Sequence, residues 1–194
     1  MKLTIISASP RISSNSLRVA KALKRIAGFK GISDIEIIDF AYYDIPLYNQ
    51  GDINPNQLTA FQQQLVNSLN GERMVVLVVP EYNWTMPAEL ANFIHRMGDR
   101  PFIHLFDKKV FALVGVSSGK GGRQPVVQLT YILGKIIGFF ELETFVSSKI
   151  FESHFTKECL DENGISLGNT AYDTGMEKFI DYTINSSKRW LTSF

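Results

Sequence analysis

The chain has 194 residues, 45% hydrophobic and 20% charged, with a net charge of +1. That balance excludes a disordered chain, gives no electrostatic reason to look for nucleic acid or an anionic membrane, and suits a single α/β domain over residues 1–194. One cysteine, Cys159, leaves no intramolecular disulfide and no cysteine-built metal site. No apolar run approaches the ~18 residues of a membrane span, and the one at the N-terminus is too short for a signal-peptide core, so a cytoplasmic protein is expected.

Residues 3–8 read as a buried first strand. Ser9, Pro10, Arg11, Ile12, Ser13, Ser14, Asn15 and Ser16 follow. After them Leu17, Val19, Ala20, Leu23, Ile26 and Ala27 recur at helical spacing, and Gly28 is the stop. A helix N-terminus presents unpaired N–H groups and a positive dipole end, so hydroxyls, an amide and Arg11 gathered there suit a phosphate. Ser and Asn are also the best helix caps. Several such side chains plus an arginine tilt the balance toward an anion site.

Residues 34–40 form a second strand whose partial alternation places it near the sheet's periphery. Tyr42, Tyr43 and Tyr48 lie in the next loop, either packed against the core or rimming a partner subunit's site. A second helix is expected to start near residues 54–56, with Leu58, Phe61, Leu65 and Leu69 inward and Gly71 at its end. Residues 74–79 are an unbroken apolar, β-branched run, the pattern of a strand buried on both faces, and Pro80 ends it because proline cannot donate to a sheet ladder. Pro80, Glu81, Tyr82, Asn83 and Trp84 then fall just past the carboxyl end of a central strand, where open α/β sheets place ligands.

Pro87 opens a helix over residues 88–97. Residues 110–116 form a fourth strand running into Ser117, Ser118, Gly119, Lys120, Gly121 and Gly122. A helix over 124–138, a fifth strand over 139–146 (with Phe139 and Phe140 in strand packing), a turn at 161–164 and a final helix from about 170 to 190 complete the chain. Five strands alternating with five helices predict a doubly wound, three-layer α/β sandwich with parallel order 2-1-3-4-5 and a crevice between strands one and three.

Loops 9–16, 80–85 and 117–122 converge on that crevice. The first suits a phosphate; Tyr82 and Trp84 offer stacking faces; the glycines of the third let backbone approach a ligand. A flat aromatic phosphate such as FMN fits all three. A Gly-x-Gly-x-x-Gly turn and a Gly-x-x-x-x-Gly-Lys-Ser/Thr loop are both missing, which argues against dinucleotide and triphosphate sites.

These motifs resemble those of the NADPH-dependent FMN reductase family of flavodoxin-like proteins. The phosphate-loop pattern matches Ser9, Arg11, Ser14 and Ser16; the Pro-Glu-Tyr-Asn segment matches residues 80–83; the glycine-rich segment matches 117–122. The resemblance implies that Ser9, Arg11, Ser14 and Ser16 surround the FMN phosphate. It implies that Glu81, Tyr82 and Asn83 line the isoalloxazine, and that Ser117, Gly119 and Gly122 approach it from the other side. Asn15, Pro80, Trp84 and Gly121, in the same loops, complete the expected cofactor-binding set. The implied activity takes a hydride from NADPH or NADH through FMN to a small acceptor: a flavin, quinone, azo compound or metal oxyanion. Homodimers or homotetramers are implied as well. The chain departs from the family pattern at Ala8, Ala91, His95 and Trp84.

No catalytic side chain is nominated, because the cofactor carries the chemistry and the protein supplies position and electrostatics. Backbone N–H groups of the third loop are candidates for stabilising a reduced flavin. The histidines, His95, His104 and His154, lack metal-ligand spacing, so no metal is expected. Ser117 is outside a Gly-x-Ser-x-Gly elbow, and Cys159 has no basic cluster beside it. The alternative function is an FMN-binding electron carrier or redox sensor without nicotinamide turnover. The near-neutral charge speaks against a carrier.

Overall fold

The computed structural model describes residues 1–191. Five parallel strands run β1 (Lys2–Ser7), β2 (Asp34–Asp39), β3 (Arg73–Pro80), β4 (Lys109–Val116) and β5 (Phe145–Ser153), in spatial order β2-β1-β3-β4-β5. The helices are α1 (Asn15–Phe29), α2 (Ala60–Leu69), α3 (Ala88–Met97), α4 (Arg123–Phe140), the single turn α5 (Thr156–Cys159) and α6 (Thr170–Leu191). The expected doubly wound, flavodoxin-like sandwich is what forms.

β3 and β4 are buried along their whole length, as continuous β-branched runs require. The period of two then sorts their side chains. Val75, Leu77 and Val79 join Phe93 of α3 and Leu129 of α4 on one face; Met74, Val76 and Val78 join Leu23 of α1 and Phe179 of α6 on the other. β1 pairs with β3 through Ser7↔Val78, so the carboxyl ends of the two innermost strands part at the order switch. The crevice opens there.

Two boundaries differ from expectation. α2 starts at Ala60 rather than near 54–56, because Thr59 and Gln62 make a reciprocal capping box. Residues 139 and 140 are not strand: α4 continues through Gly134 and Gly138 to Phe140 and stops at Glu141, whose φ is +53°. Phe139 is 80% exposed. β5 begins at Phe145 and is an edge strand with polar Ser147, Ser148, Lys149 and Glu152, so it carries no continuous apolar run to find.

Candidate functional site

β1 delivers the chain to Ser9, which is 1% exposed and whose hydroxyl lies 2.7 Å from the Tyr82 hydroxyl. The Arg11 amide donates to Ser9 Oγ (3.3 Å), and the Arg11 guanidinium carbon sits 4.6 Å from the Tyr82 ring centroid. Ser14 is the cap of α1, accepting from the Leu17 N–H at 3.1 Å. For Ser14 the ordinary capping role therefore holds. Ser16 is different. It is completely buried in the first turn of α1, and its Oγ has no hydrogen-bond partner among the described residues; neither has the buried Asn15 Oδ1. A buried hydroxyl left without a partner costs roughly 1–3 kcal/mol unless something binds it.

β3 ends in a two-residue turn closed by reciprocal Tyr82–Thr85 backbone bonds of 3.0 and 3.1 Å. The turn puts Asn83 at φ +47° and Trp84 at φ +61°. Asparagine tolerates that region; tryptophan does so only under restraint. The Glu81 N–H donates to Val116 O (2.9 Å), and its carboxylate crosses to the third loop, where Oε2 accepts from the Gly122 N–H at 2.8 Å. Gly122 is the N-cap residue of α4 and has no side chain to cap with, so Glu81 supplies the anion to that helix start. A Cβ on Gly115 would lie 1.9 Å from Gly122 O, and one on Gly121 would lie 2.5 Å from Glu81 Oε1. These glycines let the loop lie flat against β4 and Glu81.

The three loops enclose a cleft of about 540 Å³ at the β1/β3 switch, a usual size for a small-ligand site. From the first loop it is lined by Ser9, Arg11, Ser14, Asn15 and Ser16; from the second by Pro80, Glu81, Tyr82 and Asn83; from the third by Ser117. Gly119, Gly121 and Gly122 do not line it; Gly121 and Gly122 are turned into the frame just described, while a β-carbon on Gly119 would meet nothing within 4 Å. Trp84 is outside the lining too, at the tip of the turn and 75% exposed. Ile12, Ser13, Val116, Ser118 and Lys157 are linings that motif reasoning misses. Of these Lys157 comes from α5, which a fifth strand placed too early hides.

The third loop's donors are partly spent. Ser117 N–H binds Ser153 O (3.0 Å), Gly119 N–H binds Ser117 Oγ (3.3 Å) and Gly122 N–H binds Glu81. No bond among the described residues uses the Ser118 N–H, which stays available beside the cleft. Tyr43 packs on Phe40 and Phe61 and receives a bond from Asn92 (2.7 Å), so it belongs to the core. Tyr42 and Tyr48 are exposed.

Residues 1–152 match the NADPH-dependent FMN reductase family. The chain belongs to that family. NAD(P)H-dependent FMN reductase LOT6 of Saccharomyces cerevisiae is 30% identical over 149 residues, 69% of this chain and 73% of that protein. Among solved structures, FerB of Paracoccus denitrificans, a flavoenzyme NAD(P)H:(acceptor) oxidoreductase, superposes with a TM-score of 0.69 at 18% identity, over 95% of this chain and 97% of that one. An FMN-dependent NADH-azoreductase of Bacillus anthracis, in complex with FMN, gives 0.59 at 14% identity, over 96% and 100%. At those identities the structural likeness speaks for the fold.

Membership makes the chain an oxidoreductase with FMN as its cofactor, and the cleft fits that group. The orphaned Ser16 hydroxyl sits among the free N–H groups that begin α1, a seat for a phosphate. The wall carrying Tyr82 and the exposed backbone of the third loop suit a planar ring.

Proposed function

We propose that this oxidoreductase takes a hydride from NADPH or NADH through FMN to a small acceptor, drawn from flavins, quinones, azo compounds or metal oxyanions, with residues 1–194 as one flavin-binding domain. The observation that carries the reading is the convergence of an unpartnered, fully buried Ser16 hydroxyl, the start of α1 and the Tyr82 wall on one cleft at the sheet's switch point. Bound FMN supplies the redox centre. The chain's own residues hold it: the α1 amides and Ser16 fix the phosphate, Arg11 adds charge, and Tyr82 backs the ring. The Ser118 N–H, on the cleft lining, is a donor left to steady charge on the ring edge.

Two finer points belong to the same reading. A face of α4 presents Tyr131, Ile132, Ile136 and Phe139 beside Tyr48 and His95 along an open groove of about 520 Å³. Gly134 and Gly138 lie exposed on that helix, and a β-carbon added at either would meet nothing within 4 Å, so a second helix can approach closely. A homodimer or homotetramer assembled through this face is what we expect, and sedimentation velocity measures it directly. A cytoplasmic setting is part of the proposal and suits the free thiol of Cys159. No helix among the described residues is long and apolar enough to cross a membrane.

The deciding experiment is a visible spectrum of the purified protein loaded with FMN, followed by anaerobic NADPH and NADH. Bleaching of the flavin by nicotinamide supports the reductase. A bound flavin that only dithionite reduces favours the carrier or sensor.

A further inference from the structure

Lys157 stands on a wall of the cleft outside residues 1–152, the part that matches the family. β5 ends at Ser153, the backbone turns through Phe155 at φ +46°, and α5 begins at Thr156. A β-carbon disfavours that left-handed turn, and the bonds around it hold it in place. Phe155 N–H donates to Gly119 O (3.1 Å), and the Thr156 hydroxyl lies 3.3 Å from Ser117 O and 2.7 Å from the Ser153 hydroxyl. The Ser153 hydroxyl is in turn 2.6 Å from the Tyr172 hydroxyl. On the far side of the turn, Leu160 O accepts from Arg18 Nη1 of α1 at 3.3 Å. The segment is thus a fixed bridge from the third loop to α1.

Lys157 is the lysine on this bridge, which also carries His154, 3.3 Å from Glu152 Oε2. It is exposed, and no hydrogen bond or ion pair among the described residues engages its ammonium. Charge makes that position informative. A phosphate monoester carries between one and two negative charges near neutral pH. The start of α1 offers about half a positive charge, Arg11 one more, and the Glu81 carboxylate on the same cleft, only half answered by the start of α4, takes part of that back. Another cation is needed for balance, and Lys157 is in the cleft wall to provide it. We propose that Lys157 binds the 5′-phosphate of FMN, forming with Arg11 and the start of α1 a phosphate site completed from beyond the family-matched segment. This rests on the FMN reading above. The bridge to α1, where the Ser16 hydroxyl is unpartnered, is what favours the flavin's phosphate over the 2′-phosphate of NADPH.

The test uses full-length apoprotein titrated with FMN and with riboflavin, followed by flavin fluorescence, for wild type, Lys157→Gln and Lys157→Arg. Lys157→Gln should raise the Kd for FMN about tenfold, leave the Kd for riboflavin unchanged, and flatten the salt dependence of FMN binding; Lys157→Arg should restore most of the loss. Equal FMN affinity in wild type and Lys157→Gln overturns the proposal. So does a variant that loses riboflavin as much as FMN, since it has lost the shape of the cleft rather than a phosphate contact. Unchanged FMN affinity with a raised KM for NADPH but not for NADH overturns it in favour of the coenzyme's phosphate. A wild-type protein that binds FMN no better than riboflavin has no phosphate site at all. One that binds neither removes the FMN reading itself.

Discussion

A buried polar cluster at the amino end of the sheet and a buried hydroxyl at the carboxyl end are treated in opposite ways. At the amino end, Arg73 and Lys109 begin neighbouring strands and are 5% and 0% exposed, yet both spend their donors on named acceptors. Arg73 donates to Asn70 O through Nε (3.0 Å) and Nη2 (2.7 Å), and to Thr4 Oγ1 (3.2 Å). Lys109 Nζ donates to Gly71 O (2.7 Å) and to Asp107 O. Thr4 and Ser68 pass their own protons to Ser68 O and Leu65 O. At the carboxyl end the Ser16 hydroxyl is equally buried and has no partner among the described residues. The satisfied cluster is part of the fold; the Ser16 hydroxyl differs in lining the cleft, which the likewise buried and unpartnered Ser7 and Ser187 hydroxyls do not.

On that division, substitutions at the two ends should separate stability from binding. Arg73→Ala should have the largest effect on the fold, about 3 kcal/mol by urea denaturation, because Asn70 O and Thr4 Oγ1 lose donors and a buried volume is emptied. Its affinity for FMN should be that of the wild type. A loss under ~1 kcal/mol would erase the distinction between the two ends.

The pH dependence sharpens the same point. Burial, with Arg73 nearby, lowers the Lys109 ammonium from 10.5 to about 8. Between those values the unfolded chain holds a proton that the folded chain has released, so stability should rise with pH above 8, by about 2 kcal/mol. Burial raises Tyr43 and Tyr172 well above 10.0, so they work the other way once unfolded tyrosines begin to ionise. A stability maximum at roughly pH 9 to 10 is expected by these shifts, and Lys109→Met should remove the rise that leads to it.

At the carboxyl end the effects should be smaller on the fold and visible in binding. Ser16→Ala removes an unpartnered hydroxyl, so apoprotein stability should hold or improve slightly, while FMN binding weakens about tenfold, roughly 1.4 kcal/mol. Equilibrium unfolding and flavin titration on the same sample check both halves. Trp84→Gly should stabilise the apoprotein by about 1 kcal/mol, because glycine accepts φ +61° without strain. A destabilised variant would show that the indole packs against something that repays its backbone.

Much of this is legible in the chain itself. Continuous runs such as 74–79 identify central strands, and the alternation of strands and helices leads to the sheet order. The first two loops announce themselves because turn chemistry and motif spacing are local. What escapes is non-local. The sequence pattern places the fifth strand too early because Gly138 resembles a helix stop and Phe139 and Phe140 resemble a strand start, whereas β5 is an amphipathic edge without an apolar run. That slip moves residue 157 away from the carboxyl edge, so Lys157 cannot be seen as a lining residue. The Glu81 contact with Gly122 spans 41 positions and leaves no local trace. Gly121 and Gly122 of the third loop do signal close approach, but what approaches them is the protein's own Glu81 and β4.

The Glu81–Gly122 bond acts as a tie-rod between two walls of the cleft. With Gly115 and Gly122 in backbone contact behind it, the spacing of those walls is set before any flavin arrives. Association then has no loop-ordering step to wait for, and its observed rate should climb in proportion to flavin concentration without a plateau. The same rigidity limits how selectivity can evolve. A gap of fixed width cannot be tuned by breathing, so discrimination among acceptors falls to whatever stands at its mouth, where Trp84 is already held out into solvent.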